Sequence, residues 1–437
     1  MASAHQRDAW ATAVNRLRGQ ATVVDTKAYV ATLSEIQSRL LDEESILLQY
    51  SLGQDRGYLW VVSKNAFTSY QLPAQAQIRQ MARELRELLT APQLRPGETS
   101  RAYLQRLRLD KQAYIKAARG LANLLLLPAA DRLEGKRLVI SPDGVLEYIP
   151  FAALPLPESS TQHPIALAEK FELLSIPSAS TLAVLRSSSD SPPAMHKIVV
   201  FADPVFESDD PRVRKGNGSQ LTRKTHGDLS ELGLILRSAD LTSANTRVPR
   251  LPGTRQEAEA IARIAKSSRV ALDFDANLSA ATEPDLVNYQ ILHFATHGVL
   301  NTEHPELSGI ILSLVDKDGR PQEGYLRLHH VYNLKLSADL VVLSACNSAL
   351  GRQVLGEGVM GISRGFFFAG AKRVVSSLWK VDDEATSQLM SFFYEGMLQG
   401  GKTASASLHD AQLEIAKQKR WNFPYYWAGF VLQGDWR

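Results

Sequence analysis

The chain reads as an α/β protein built on a mainly parallel sheet flanked by helices. Three observations point there. Apolar runs of about four to eight residues recur between polar turns, as strands buried on both faces of a parallel sheet require. In the second half these runs alternate with amphipathic helical stretches, the pattern of crossover connections. Two of the runs, at 289–295 and 339–345, lead into His297 and Cys346, and ligands of open α/β sheets gather at the carboxyl ends of strands.

The elements of the first half follow from their residues. Trp10, Ala13, Val14 and Leu17 share one helical face, so a short helix is expected up to about residue 20. A second, over 32–42, has Ser34 as its expected cap. Three strands at 45–52, 57–63 and 66–72 are separated by breaks that suit hairpins. Long helices over 74–90 and 100–127 are divided by Pro92 and Pro96. Strands follow at 137–145, ending in a Pro-Asp-Gly turn, and at 171–177. Between them a turn of helix is broken by Pro150 and Pro155. Ser178 is placed to cap a helix over 179–187. The Ser- and Pro-rich stretch 187–195 reads as a linker, so the expected domains are residues 1–190 and 191–437.

The second half opens with a strand at 196–204. A polar stretch from 207 to 252 carries Arg212, Arg214, Lys215, Arg223 and Lys224; its length suits either a solvated insertion or a partner-binding loop. Thr254 with Glu257 forms a capping-box pattern for a helix over 254–267. Strands are then expected at 270–274, 291–295, 309–315, 340–345 and 373–378. Helices are expected at 280–287, 326–333, 357–369, 384–399 and 403–417, with a last strand at 427–434. Phe366, Phe367 and Phe368 cover more than one helical face, so their helix should be thoroughly buried.

Composition narrows the function classes. Of 437 residues, 44% are apolar and 22% charged, ordinary for a soluble globular protein. The net charge of +3 and the isoelectric point near 8.8 call for neither nucleic acid nor an anionic membrane. A single cysteine excludes an intrachain disulfide and a multi-cysteine zinc site, and a reducing, cytoplasmic home follows as an expectation. The opening residues lack a signal pattern, and no apolar run is long enough to span a bilayer.

A thiol and an imidazole at neighbouring strand ends can make an activated nucleophile. A lone cysteine there is more often a small buried hydrophobe, so the candidacy of Cys346 rests on its pairing with His297. His293, four residues before His297, lies in a strand with no carboxylate at ligand spacing and is expected to be a satisfied core histidine rather than a metal ligand. Gly361-Ile-Ser363-Arg-Gly365 matches a nucleophile elbow, but Ser363 falls inside an expected helix. Gly356-Glu-Gly358-Val-Met-Gly361 matches a dinucleotide fingerprint, but ten residues separate it from the preceding strand, where a tight turn is needed. Trp379, Trp421, Phe423, Tyr425, Tyr426 and Trp427 suit core packing or a substrate wall.

Leu251-PGTRQEA, His293-FATHG, Leu307-SGIILS, Leu343-SACNSALG, Gly356-EGVMGISRGFFFAGAKRVVSSLWKVDDEAT and Tyr425-YWAGFVLQGD together resemble a CHAT domain. That family is the caspase-like peptidase group associated with tetratricopeptide repeats, a relative of separase and the caspases. Ile46-LLQYSLG, Tyr58-LWVVS and Leu138-VISPDGVLEYIPFAAL are similar to the amino-terminal part of such domains. The resemblance, over about 25–437, implies a caspase-like sheet preceded by a degenerate caspase-like lobe. It implies a cysteine endopeptidase with Cys346 as nucleophile and His297 as general acid/base. The backbone amides of Gly298 and Cys346 would form the oxyanion hole, and no cofactor or metal is implied. The caspase Q-A-C-x-G signature is absent, and Ala345 stands where metacaspases carry an acid. Specificity is therefore not carried over from either. Separase-like enzymes read a basic side chain with an acid near the W-x-V-x-D segment, which Asp383 matches, with Asp382 beside it; either could equally cap the next helix. His304 could line the cleft.

Cys346 and Arg373 are separated by one helix-sized segment, without room for a long cleavable linker. Control by a regulatory protein or an attached repeat domain is therefore expected, in a bacterial-style cytoplasmic peptidase acting on a protein substrate. The rival expectation is a catalytically silent scaffold of the same fold used for partner binding or signalling. A dinucleotide-binding enzyme is a third.

Overall fold

The computed structural model describes residues 29–92, 98–157, 159–160, 164–187, 197–214, 247–299, 308–344, 346–347, 358–379 and 381–437, with backbone alone at 104, 108–110, 346–347 and 358–361. The expected helix before residue 20 lies outside them. Two compact units form: Met1–Pro192 with Thr403–Arg437, and Pro193–Lys402. In chain order the strands are β1 (Ser45–Leu52), β2 (Gly57–Val62), β3 (Phe67–Leu72), β4 (Arg137–Ser141), β5 (Glu172–Ser175), β6 (Ile198–Pro204), β7 (Ser268–Asp273) and β8 (Ile291–Ala295). They continue as β9 (His297–Val299), β10 (Gly309–Ile311), β11 (Tyr325–Arg327), β12 (Leu340–Leu343), β13 (Cys346–Asn347), β14 (Arg373–Ser377) and β15 (Phe430–Gly434).

In the first unit the strand order is β3-β2-β1-β4-β5-β15. The first three form an antiparallel meander, as the hairpin breaks predict. From β1 onward the neighbours are parallel, and β4 and the first half of β1 are buried without a break, as their apolar runs require. Helix α1 (Gln75–Leu89) turns Ile78, Ala82, Leu85 and Leu89 inward at alternating four- and three-residue steps and packs on α2 (Ser100–Leu126). The short helical turn Leu33–Glu35 is capped by Thr32 rather than Ser34. The Thr32 side chain accepts from the Glu35 amide, and Glu35 reaches back to the Thr32 amide at 2.9 Å. Helix α3 (Ala179–Ser187) has the expected Ser178, whose hydroxyl accepts from the Thr181 amide. Arg137 on β4 and Glu172 on β5 form a buried ion pair, 3.0 Å apart.

In the second unit the order is β14-β12-β8-β6-β7 with every pairing parallel. Phe201 and Phe294 stack across β6 and β8 at 5.0 Å. Helix α4 (Pro252–Ile264) starts earlier than the capping-box pattern suggests. Proline stands at the first helical position, where its missing N–H costs nothing. Thr254 and Glu257 face inward with other partners. The expected strand 309–315 stops after Ile311, and β11 and α5 (Leu328–Asn333) replace a helix expected from 326. Helix α6 (Gly358–Ala369) buries Phe366 and Phe367, while half-buried Phe368 meets Tyr332 edge-on at 5.2 Å. Helices α7 (Asp383–Tyr394) and α8 (Ala404–Ala416) follow, α8 in the first unit.

Two glycines past helix ends measure what close packing demands. Gly370 ends α6 at φ +114°, and a Cβ there would lie 2.2 Å from the Leu336 carbonyl oxygen. Gly401 has φ +62° with open space around it. Gly401→Ala carries conformational strain alone, about 1 kcal/mol, whereas Gly370→Ala adds a backbone collision. Thermal melts should show Gly401→Ala a few degrees below the parent and Gly370→Ala lower still or unfolded.

Candidate functional site

The chain leaves β8 after Ala295, turns at buried Thr296, and re-forms as β9. The Thr296 hydroxyl donates to the Ile311 carbonyl at 2.6 Å and fixes the turn. Strand β9 belongs to a second, smaller sheet of order β11-β10-β9-β13. Its outer neighbour β13 runs parallel, with Cys346 opposite His297 and Asn347 opposite Gly298. The two residues singled out in the sequence are thus register partners, their backbones one strand spacing apart, about 4.8 Å. They do not end the large-sheet strands; they occupy a two-strand step beyond them.

His297 is 2% exposed. Its ring lies 5.3 Å from that of Phe206, and its Nε2 is 2.6 Å from the Pro249 carbonyl oxygen. A carbonyl only accepts, so Nε2 carries the proton. In the neutral ring Nδ1 is then the basic nitrogen. An extra proton leaves the Nε2–H···O=C bond intact, which suits an imidazole that takes up and returns a proton.

The segment 247–251, which supplies that carbonyl, is tied by acids at and after the end of β6. The Val248 amide donates to Glu207 Oε1 at 3.0 Å. Arg247 pairs with Asp209. Arg250 donates to both oxygens of Asp203, at 2.8 and 2.6 Å. Burial raises the Glu207 carboxyl above its usual value, against the Val248 hydrogen bond. Asp203 also accepts from Arg255 at 2.8 Å and lies 3.2 Å from Arg212. Arg212 further binds Asp210 and Asp273. The hydrogen bonds that Arg250 donates to Asp203 raise the Arg250 guanidinium, and those from Arg212 lower the Asp210 carboxyl. Three arginines (Arg212, Arg250 and Arg255) and three aspartates (Asp203, Asp210 and Asp273) thus interlock in one cluster. Arg212, expected in a solvated or partner-binding stretch, is bound within this cluster; Lys215, Arg223 and Lys224 lie outside the described residues.

The acids expected near substrate divide. Asp382 is the helix cap: its side chain accepts from the Ala385 amide at 3.0 Å at the start of α7. Asp383 lies against the first turn of α4, where a Cβ on Gly253 would come within 2.8 Å of the Asp383 Cβ. The positive end of that helix favours a carboxylate there. Gly298 pairs with Ile310 on one side and Asn347 on the other. His304 lies outside the described residues.

His293 is fully buried, with Nδ1 3.0 Å from the Tyr394 hydroxyl and Nε2 3.0 Å from Glu257 Oε1, the latter contact close but not aligned as a hydrogen bond. Burial, and the nearby Glu257 charge, push the Tyr394 hydroxyl well above its ordinary value. Glu257 thus faces His293 of β8 instead of closing a capping box. Ser363 is fully buried inside α6, not at an elbow. Trp379, Trp421, Tyr425 and Trp427 are buried in packing. Among the described residues no group of three or more His, Cys, Asp or Glu could hold a metal ion, and no helix is long and apolar enough to cross a membrane.

Sequence reasoning missed Phe206, Pro249 and the Asp203 cluster. A signal existed for one: Asp203 ends a continuous apolar run, the position of β6 that faces ligands in such sheets. A backbone carbonyl partner leaves no such mark.

The family model of the CHAT domain matches residues 115–435. Tetratricopeptide repeat protein 28 of Mus musculus is 41% identical over 103 residues, 24% of this chain. The Homo sapiens protein of that name is 37% identical over 114 residues, 26% of this chain. In each case the match spans only 4% of the relative's length. Among solved structures, the Saccharomyces cerevisiae separase–securin complex aligns with a TM-score of 0.54 at 11% identity, covering 92% of this chain and 31% of that one. At such identity the likeness concerns the fold. With the family model spanning most of its length, and parallel-sheet units carrying His297 and Cys346 on one small ladder, the chain belongs to the CHAT domain family and has the caspase-like fold.

Proposed function

We propose that the chain is a cysteine endopeptidase acting on a protein substrate through Cys346 and His297. The observation that carries this reading is the parallel register of Cys346 with His297, supported by the 2.6 Å bond that orients the imidazole. In the reaction His297 Nδ1 accepts the Cys346 thiol proton as sulfur attacks the scissile carbonyl carbon. The oxyanion forms opposite the amides of Gly298 and Cys346, each donor contributing roughly 3 kcal/mol to the transition state. His297 returns the proton to the departing amine, leaving a thioester. Water then gives a proton to His297 as it attacks, and the acid product and free thiol are released. No step calls for a cofactor. The catalytic lobe in this reading is residues 191–437, preceded by a degenerate lobe of 1–190.

Asp383 is proposed to read a basic side chain beside the scissile bond. Its support is its place against Gly253 in the first turn of α4, the helix that begins a few residues after the Pro249 carbonyl that orients His297. Asp382 is occupied as a cap, and His304 is retained as a cleft residue on the family resemblance alone.

The 2% exposure of His297 favours a covered resting state. A regulatory protein or attached repeat domain would then uncover the site. The repeat proteins among the relatives and the securin-bound separase support that kind of control. The same exposure suits the second reading, a silent scaffold for partner binding or signalling. A cytoplasmic setting rests on the single cysteine, and neither nucleic acid nor membrane enters the proposed role.

Peptide-library digestion distinguishes the readings. Cys346→Ala should abolish cleavage, and His297→Ala should lower kcat by roughly 10²- to 10⁴-fold. A wild-type chain that cleaves nothing and resists peptidyl electrophiles, even with its partner, would favour the scaffold. In the same library Asp383→Asn should erase a preference for Arg or Lys at the cleavage site while cleavage itself persists. An unchanged residue profile removes Asp383 from specificity.

A further inference from the structure

The carbonyl that orients His297 sits on a segment, 247–251, with no regular secondary structure. Val248 and Leu251 are buried and set its depth, but apolar contacts are non-directional and do not aim a carbonyl. Directional bonds have to. Of the ion pairs on this segment, Arg247–Asp209 is well exposed on both sides, 64% and 59%, and such pairs hold geometry weakly. Arg250–Asp203 is different. The Asp203 side chain is fully buried, and Arg250 grips it through two hydrogen bonds, the bidentate form that fixes orientation as well as distance.

The anchor itself is over-determined. Asp203 stands one residue beyond Ala202, the register partner of Ala295 on β8, and His297 is two residues beyond Ala295. Both ends of the His297–Pro249 hydrogen bond are thereby referred to the same pair of strands. Asp203 holds φ +46°, a left-handed conformation that most residues avoid. Its amide donates to Thr254 Oγ1 at 3.1 Å, and Arg255 on α4 and Arg212 brace its carboxylate. Strain kept at a strand tip by that many partners is typical of sites where placement matters.

We infer that Asp203, acting through Arg250, is a positioning residue for His297: the clamp aims the Pro249 carbonyl at Nε2 and thereby presents Nδ1 to the nucleophile. The inference rests on the Cys346–His297 reading, and the test separates the two.

Cys346 is the chain's one cysteine, so iodoacetamide alkylation followed by intact-mass measurement reports on that thiol alone and needs no substrate. Wild type, His297→Ala, Arg250→Ala, Arg250→Lys and Arg269→Gln are compared from pH 5.5 to 9.5. Arg269 pairs with Glu283 elsewhere in the unit and serves as the control. An imidazole that draws off the proton keeps the wild-type thiol reactive well below its ordinary pKa of about 8.5. His297→Ala should fall to the reactivity of an ordinary thiol. Arg250→Ala should lose roughly tenfold at pH 6.5, a small misplacement being able to cost up to about 10²-fold, and match wild type at pH 9.5, where the thiol ionises unaided. Arg250→Lys, with one point of attachment, should lie between, and Arg269→Gln should follow wild type. Asp203→Asn should repeat the Arg250→Ala profile; if it fails to fold, the more exposed Arg250 carries the result. Identical profiles for wild type and His297→Ala would overturn the dyad reading itself, and the clamp with it. A loss in His297→Ala with none in Arg250→Ala would overturn the clamp alone. A loss in Arg269→Gln equal to that in Arg250→Ala would reduce the effect to general loosening and also overturn it.

Discussion

A 2.6 Å hydrogen bond between His297 Nε2 and the Pro249 carbonyl governs how the small ladder of β9 and β13 can work. It assigns the proton of the neutral ring to Nε2 and so decides which nitrogen is basic. In a Ser-His-Asp arrangement a carboxylate performs that task. Here a backbone dipole does so, which is weaker electrostatically but brings no second charge to the buried imidazole. The cost of using main chain is that its position depends on everything attached to it. The polar cluster around Asp203 meets that dependence.

That cluster is electrically balanced and lies at strand tips. Asp203 and Asp273 terminate the adjacent strands β6 and β7, each with a positive φ. Their carboxylates share Arg212 and Arg255. Removing one member of such a set leaves its partner charged and underbonded, which costs more than the pair contributes. The arrangement is rigid for that reason, and rigidity at the carboxyl edge of the sheet is what a site on short strands requires. Buried Glu257, His293 and Tyr394 add a second tie from α4 and α7 to β8 beneath it.

Much of this was legible in the residues. Fully buried parallel strands write themselves as unbroken apolar runs, so β6, β8, β12 and β14 were visible. His297 and Cys346, expected at the ends of such strands, fall instead on the short strands β9 and β13 just beyond them, and the acid pair at the start of α7 held a cap that proved to be Asp382. Other features leave no local trace. Strands β9 and β13 have three and two residues, too few for any periodicity. Arg250 and Arg255 reach an acid 47 and 52 positions away, and sequence spacing says nothing about such partners. The Thr254–Glu257 pattern misled because inward-facing residues with tertiary partners can mimic a cap.

Strand β15 pairs with β5, and Thr403–Arg437 join the unit begun by the first half of the chain. During synthesis from the amino terminus that first unit waits for β15 until the whole of the second has left the ribosome. The residues of the second unit are contiguous and all leave the ribosome before Thr403–Arg437. The opening half of the polypeptide therefore spends translation with an unpaired β5 flank, the kind of exposed edge that chaperones cover and that invites strand exchange between nascent chains.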